Sequence, residues 1–225
     1  MKVIILAAGK GERMKTLTAN TPKPLLKVNN KPVIEYVIDA LPLEVDEVIV
    51  VVKYLGDQIR QFLGSEFNGK KIIFAEGSDQ GNAYSFLAAK PFIKAGERFL
   101  FVYGDELPKK EDFKNCLKEE LSVATFESHN PRAHGMVTLR LDGTIEEVIE
   151  KPETPKSNIA VDGIMVLNSD IFNYSPLSNQ KGEYYFTSLL HQFVKDHKVY
   201  PVKIQNFIGD ITNPSDLERV EKLIS

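Results

Sequence analysis

Two cations stand on short, stiff segments near the start of this 225-residue chain, and two carboxylates stand far downstream. Arg13 closes Gly9-Lys-Gly11-Glu-Arg13, directly after the apolar run from Val3 to Ala8, and Lys23 follows between Pro22 and Pro24. Glycines let a backbone approach a ligand closely, so successive N–H groups can point at phosphate oxygens. Arg13 can add a planar fork to a β- or γ-phosphate, and Lys23 a compact charge beside an α-phosphate. The flanking prolines restrict the backbone around Lys23 and lower the entropy lost in holding it. Asp105 follows Phe101-Val-Tyr-Gly104, and Asp210 lies in Ile208-Gly-Asp210-Ile-Thr-Asn-Pro-Ser-Asp-Leu217. Two carboxylates together with phosphate oxygens suit Mg²⁺, which keeps several of its waters. The pattern is a grip on a nucleoside triphosphate.

Blander readings exist for each piece. Gly9 and Gly11 alone would serve a tight strand-to-helix turn, Asp105 a strand-end turn, and Asp210 an Asx turn. Asn213 or Ser215 would cap a final helix with no ligand involved. Two familiar phosphate motifs fail: a Rossmann fingerprint needs glycine where Met14 stands, and no Walker A Gly-Lys-Ser/Thr is present. His129, His134, His191 and His197 lack metal-ligand spacing, and no serine or cysteine sits in a nucleophile elbow. Cys116, the one cysteine, excludes an internal disulfide, and Lys114 and Lys118 beside it read as a solvated helix face.

The elements that must hold these groups can be read from periodicity. Strand-like runs at Val3–Ala8, Glu47–Val52, Lys71–Ala75 and Arg98–Tyr103 alternate with helical patterns at Pro32–Leu41, Tyr54–Leu63 and Asn82–Ala89. That alternation predicts parallel strands joined by helical crossovers, with the ligand at the strands' carboxyl ends. Beyond Asp105, runs at Leu121–Glu127, Met136–Leu141, Ile145–Ile149 and Ile159–Leu167 follow one another without full helices, so this half reads as mixed or antiparallel. Helix resumes over Glu183–His197, strand over Val199–Ile204, and helix over Pro214–Ile224. The expectation is an α/β fold, a Rossmann-like layered mixed sheet in a single domain over residues 1–225. Residues 1–110 would form its nucleotide-binding half and 111–225 its second-substrate half.

Composition adds exclusions. With 28 Lys and Arg against 31 Asp and Glu the net charge is −3, which advertises neither nucleic acid nor an anionic membrane as partner. The opening apolar run is too short for a secretory h-region, and no stretch approaches a membrane span. A cytoplasmic protein is expected, and the oligomeric state is left open.

Leu6-Ala-Ala-Gly-Lys-Gly-Glu-Arg13 through Thr21-Pro-Lys-Pro-Leu-Leu-Lys-Val28 resembles the signature of the sugar-1-phosphate nucleotidyltransferases, the nucleotide-sugar pyrophosphorylases. This family includes glucose-1-phosphate thymidylyltransferases and mannose-1-phosphate guanylyltransferases. Its loop usually has Thr where this chain has Glu12. The resemblance implies a nucleotide-diphospho-sugar transferase (GT-A-like) fold, with Leu6, Ala7, Ala8, Gly9 and Gly11 around the nucleotide. It implies Arg13, Lys23 and Asp105 at the reacting phosphates, and Asp105 with Asp210 on Mg²⁺. Near Asp210 the family's Gly-Thr is replaced by Thr212-Asn213. A sugar-phosphate pocket is implied by Gly135, Glu150, Lys151, Asn158, Val161, Gly163 and Glu183, the last opening a helix. The family's Thr-Asp after that glutamate is here Thr187-Ser188. No C-terminal acyltransferase or β-helix extension is expected.

The base is read in this family near Glu76-Gly-Ser-Asp-Gln-Gly81-Asn-Ala83, where Asn82 replaces a frequent Thr or Leu. An ionised Glu76 accepts only, which suits the adjacent N–H donors of guanine and leans towards GTP, with UTP or dTTP open and CTP behind. Alternatively Glu76 faces solvent, and backbone near Ala7 and Gly81 does the reading. The expected reaction is attack of a sugar 1-phosphate on the α-phosphorus of an NTP, with pyrophosphate leaving. A phosphate monoester has a second pKa of roughly 6, so the nucleophile needs no general base. Two rivals remain: a cytidylyltransferase for a non-sugar phosphate such as phosphocholine, and a catalytically silent nucleotide-sensing or scaffold protein.

Overall fold

The computed structural model of the chain describes residues 1–179, 182–204 and 211–224. The strands in chain order are β1 (Lys2–Ala7), β2 (Lys27–Val28), β3 (Lys31–Pro32), β4 (Glu47–Val52), β5 (Glu66–Phe67), β6 (Lys70–Glu76), β7 (Arg98–Tyr103), β8 (Ser122–Glu127), β9 (Gly135–Leu139), β10 (Ile145–Glu150), β11 (Ile159–Asn168) and β12 (Tyr200–Lys203). The helices are α1 (Val33–Ala40), α2 (Gly56–Leu63), α3 (Asn82–Leu87), α4 (Lys110–Cys116), α5 (Thr187–Asp196) and α6 (Pro214–Leu223).

One ten-stranded mixed sheet runs in the order β10-β9-β11-β7-β1-β4-β6-β5, with β8 on β11 and β12 on β8. β7, β1, β4 and β6 are mutually parallel, as the alternating first half predicts. The antiparallel β11 joins this block to β8 and β9, as the helix-poor second half predicts. The parallel strands are apolar on both faces because both faces are covered. Val3, Ile5, Val48 and Val50 pack with α1 and α2, while Ile4, Leu6, Ile49 and Val51 pack with Phe86 of α3 and Leu189 and Phe193 of α5.

Two expectations need correction. The helix face read around Cys116 belongs to Lys110–Cys116, which buries Asp112, Phe113 and Cys116 and ends before Lys118. Helix α5 begins at Thr187, not at Glu183: the segment before it is tied down by a bridge between Ser178 and Tyr184. Glu183 therefore sits in an extended approach to the helix.

The sheet order reverses at β1, which lies between β4 and β7 and is parallel to both. In an open α/β sheet that reversal opens a crevice beyond the strands' carboxyl ends. A small third core of Met14, Val28, Val33, Ile211 and Val220 packs α6 beneath the loop that follows the glycine turn. Helix α6 opens with Asn213 and Asp216 capping one another's backbone, so Asn213 is the cap. Among the described residues no helix is long and apolar enough to cross a membrane.

Candidate active site

A cavity of about 1050 Å³ occupies the crevice where the order reverses. Leu6, Ala7, Ala8, Gly9 and Gly11 form one wall as β1 runs out into the glycine turn. Gly11 is left-handed (φ 63°), and a Cβ there would lie 3.1 Å from Thr18 and 3.2 Å from the Lys23 stem. The turn is pinned behind by Met14 N–H donating to Gly11 O at 2.8 Å and by the Thr18 hydroxyl donating to the same oxygen at 3.0 Å. Tyr54 in turn donates to Thr18 O at 2.9 Å, which ties the loop to the segment leading into α2.

Arg13, Lys23 and Asp105 line this same cavity. Arg13 is exposed, and among the described residues no carboxylate pairs with it. Lys23 starts a short turn after the extended Pro22, with Leu25 N–H donating to Pro22 O at 2.8 Å. Its ammonium meets Asp105 Oδ2 at 2.5 Å, although 82 residues separate them in sequence. Asp105 is delivered by the end of β7, where Gly104 N–H donates to Leu6 O at 2.9 Å and binds the two strand ends together. Asp210 lies outside the described residues.

The base-side wall differs from expectation. Glu76 ends β6, two strands from β1, and does not line the cavity. Its carboxylate instead pairs with Arg60 at 2.9 Å and Lys53 at 3.6 Å. Opposite charges on α2 and after β4 hold it on that side, so the guanine preference loses the residue on which it rested. Ser78, Gln80, Gly81 and Asn82 line the cavity in its place. Gly81 has φ 121°, and a Cβ there would lie 2.6 Å from Tyr184 O, so this turn packs directly against the segment before α5. Asn82 Oδ1 accepts from Phe186 N–H at 2.6 Å and strengthens that contact.

Gly135, Glu150, Lys151 and Val161 do not line this cavity, and the β9–β10 pair sets Gly135 opposite Glu150. A Cβ on Gly135 would lie 3.1 Å from Thr187, 3.3 Å from Glu150 and 3.7 Å from Val161, so these four are neighbours. Glu150 accepts from the Thr187 hydroxyl at 3.0 Å and pairs with Lys151 at 3.4 Å. Lys151 reaches Tyr185, and Tyr185 reaches Glu183; both of these line the cavity. Burial opposes the charge on Lys151, yet the Glu150 carboxylate and Tyr185 outweigh it and hold its pKa above the ordinary lysine value. Two residues fall outside this group. The Asn158 amide donates to Glu127 at 3.2 Å on an exposed edge, and Gly163 backs onto the Glu106 carboxylate. Gln80, Tyr185 and Thr212 line the cavity without having been singled out from sequence; Gln80 beside Gly81 and the Tyr184-Tyr185 pair after Gly182-Glu183 were the available signals.

Asp105 offers a hard oxygen donor to the cavity, and Asp210 lies outside the described residues. Among the described residues no group of three or more His, Cys, Asp or Glu forms an all-protein metal cage. That donor chemistry fits Mg²⁺, which takes one or two carboxylates plus substrate phosphates, and not a dedicated cage.

The bifunctional protein GlmU of Methanocaldococcus jannaschii is 33% identical over 227 residues, covering 100% of this chain and 54% of the relative. The chain spans about half the length of such bifunctional relatives, 54% in that case. The UTP–glucose-1-phosphate uridylyltransferase AglF of Haloferax volcanii is 29% identical over 234 residues, 99% of this chain and 96% of the relative. A solved structure described as a "Putative Glucose-1-Phosphate Thymidylyltransferase" from Bacillus anthracis, in complex with sucrose, matches with a TM-score of 0.82 at 26% identity, covering 99% of this chain and 94% of its own. The profile of the nucleotidyl transferase family matches residues 2–224, from the first strand to the last helix. The chain belongs to the nucleotidyl transferase family.

Proposed function

We propose that this chain transfers a nucleoside monophosphate from an NTP to a sugar 1-phosphate and releases pyrophosphate. The observation that carries this reading is the meeting of Arg13, Lys23 and Asp105 on one cavity beside the glycine turn, with Lys23 and Asp105 2.5 Å apart. An acceptor phosphate oxygen bonds to the α-phosphorus, and the bond from that phosphorus to the bridging oxygen of the β-phosphate breaks. The acceptor is already anionic near neutral pH, so the chain needs to position and neutralise, and no general base is required.

Each residue has a task under this reading. The backbone of Gly9–Gly11 and the Arg13 guanidinium take the β- and γ-phosphates, the part that leaves as pyrophosphate. Lys23, steered by Asp105, neutralises charge at the α-phosphate. Asp105, with Asp210, would hold Mg²⁺, which supplies further neutralisation of phosphate charge. Lys151 takes the acceptor's phosphate, and Glu150 and Glu183 accept from sugar hydroxyls.

The donor is a pyrimidine nucleotide, UTP or dTTP, and the acceptor glucose 1-phosphate or a close relative. Gln80 on the cavity wall offers both a donor and an acceptor, which suits the neighbouring N–H and carbonyl of uracil or thymine. The uridylyltransferase and thymidylyltransferase named above support the same choice. The test is a matrix of NTPs against sugar 1-phosphates and phosphocholine, with Mg²⁺ present or chelated, read by pyrophosphate release. Turnover with UTP or dTTP and glucose 1-phosphate is expected. Nucleotide binding without pyrophosphate from any pair would favour a silent sensor and defeat the proposal.

A further inference from the structure

Tyr185 lies between two charged groups on the acceptor side of the cavity. The Lys151 ammonium sits 4.6 Å above the centre of its ring and 3.3 Å from its hydroxyl oxygen. On the other side the hydroxyl donates to Glu183 Oε2 at 2.9 Å. Asn179 Nδ2 donates to the same carboxylate oxygen at 3.1 Å, which steadies it. A phenol has one proton to donate, and Glu183 takes it; a lone pair then remains for the ammonium. Burial, followed by the bond to Glu183, pushes the Tyr185 hydroxyl above its ordinary range, so it keeps its proton.

Lysine carries four rotatable bonds and loses much freedom when fixed. Lys151 also follows β10 in a left-handed conformation (φ 43°), with its N–H donating to His134 O at 3.0 Å. The backbone therefore sets where the stem starts, and Tyr185 sets where the charge ends. An ammonium held before the ligand arrives costs less to order when it binds.

We infer that Tyr185 is a positioning residue for the acceptor: its hydroxyl, anchored on Glu183, holds the Lys151 ammonium where the phosphate of an anionic acceptor docks. This rests on the assignment of Lys151 to the acceptor phosphate made above. Tyr185 acts through Lys151, so it governs capture of the acceptor and not of the NTP.

The experiment compares the parent with Tyr185→Phe, Lys151→Ala and the double variant, using UTP and glucose 1-phosphate. Tyr185→Phe keeps the ring and should raise the acceptor KM about tenfold, the range for losing one hydrogen bond to a charged group. The NTP KM and kcat should stay near the parent values. The double variant should match Lys151→Ala alone, because no ammonium remains to be held. An unchanged acceptor KM in Tyr185→Phe, or full additivity in the double variant, overturns the inference while leaving the proposed activity intact. An unchanged acceptor KM in Lys151→Ala removes the assignment of Lys151 and the inference with it. Should no pair turn over, glucose 1-phosphate binding measured by calorimetry on the same four proteins decides the same contrast.

Discussion

Replacing Lys23 by methionine removes one charge from the cavity and little else. Methionine keeps most of the stem, which packs against the bare backbone of Gly11 at a distance of 3.2 Å from where a Cβ would be. What is lost is the ammonium, 2.5 Å from the Asp105 carboxylate; the Lys23 side chain is 12% exposed and that of Asp105 36%. Asp105 can rehydrate, so the ion pair contributes about 1 kcal/mol or less to folding. The effect on catalysis should be far larger. A preorganised positive group aimed at developing charge is worth about 10²–10³ in kcat, or roughly 3–4 kcal/mol of barrier. Pyrophosphate release under saturating substrates gives kcat, and a thermal melt gives stability. The expected result is a loss of two to three orders of magnitude in kcat, as above, with a melting temperature close to the parent. Lys23→Arg should recover part of the loss, since the charge returns in a wider group. A Lys23→Met enzyme turning over within about threefold of the parent would refute the role given to this side chain.

Three further outcomes are expected. Gly81→Ala would set a Cβ 2.6 Å from Tyr184 O at φ 121°, and urea unfolding should show a loss of about 2 kcal/mol or more; a parent-like midpoint would contradict the packing of that turn. Burial raises the Asp216 carboxyl, but bonds from the Thr212 and Asn213 N–H groups and the Arg219 charge win and leave it below its ordinary 3.8. A carboxyl depressed by folding stabilises above its unfolded pKa, so this contribution should fade as pH falls below about 4, and Asp216→Asn should melt with a shallower pH dependence there. The Cys116 thiol, pushed up to about 12 by burial, should resist a disulfide reagent in the folded protein and react fully once unfolded.

The first half of the fold was legible because its strands are buried on both faces. Glu47–Val52 and Arg98–Tyr103 read as continuous apolar runs, and the strands have those same limits. Helix α4 showed in the sequence only as a charged face beside Cys116, because Lys-Glu-Asp-Phe-Lys-Asn-Cys buries two apolar residues, Phe113 and Cys116, with Asp112, too few for an apolar period to show. The start of α5 was misplaced because Tyr184 and Tyr185 continue the apolar pattern but are drawn into contacts with Gly81 and Lys151. The first contact spans about a hundred residues and the second 34, and periodicity sees neither. Asp105 was readable from its place after an apolar run, since strand ends face the crevice. Glu76 sits at an equally plausible strand end, but partners on α2 and after β4 hold it, and nothing local in the sequence signals them.

The central claim is tested most directly by following the α-phosphate. UTP labelled at that phosphate is mixed with glucose 1-phosphate and the purified chain, and the products are separated. Label should pass into a nucleotide sugar in step with unlabelled pyrophosphate, one for one. Label released as free UMP, or left in UTP with every acceptor and nucleotide tried, would contradict nucleotidyl transfer by this cavity.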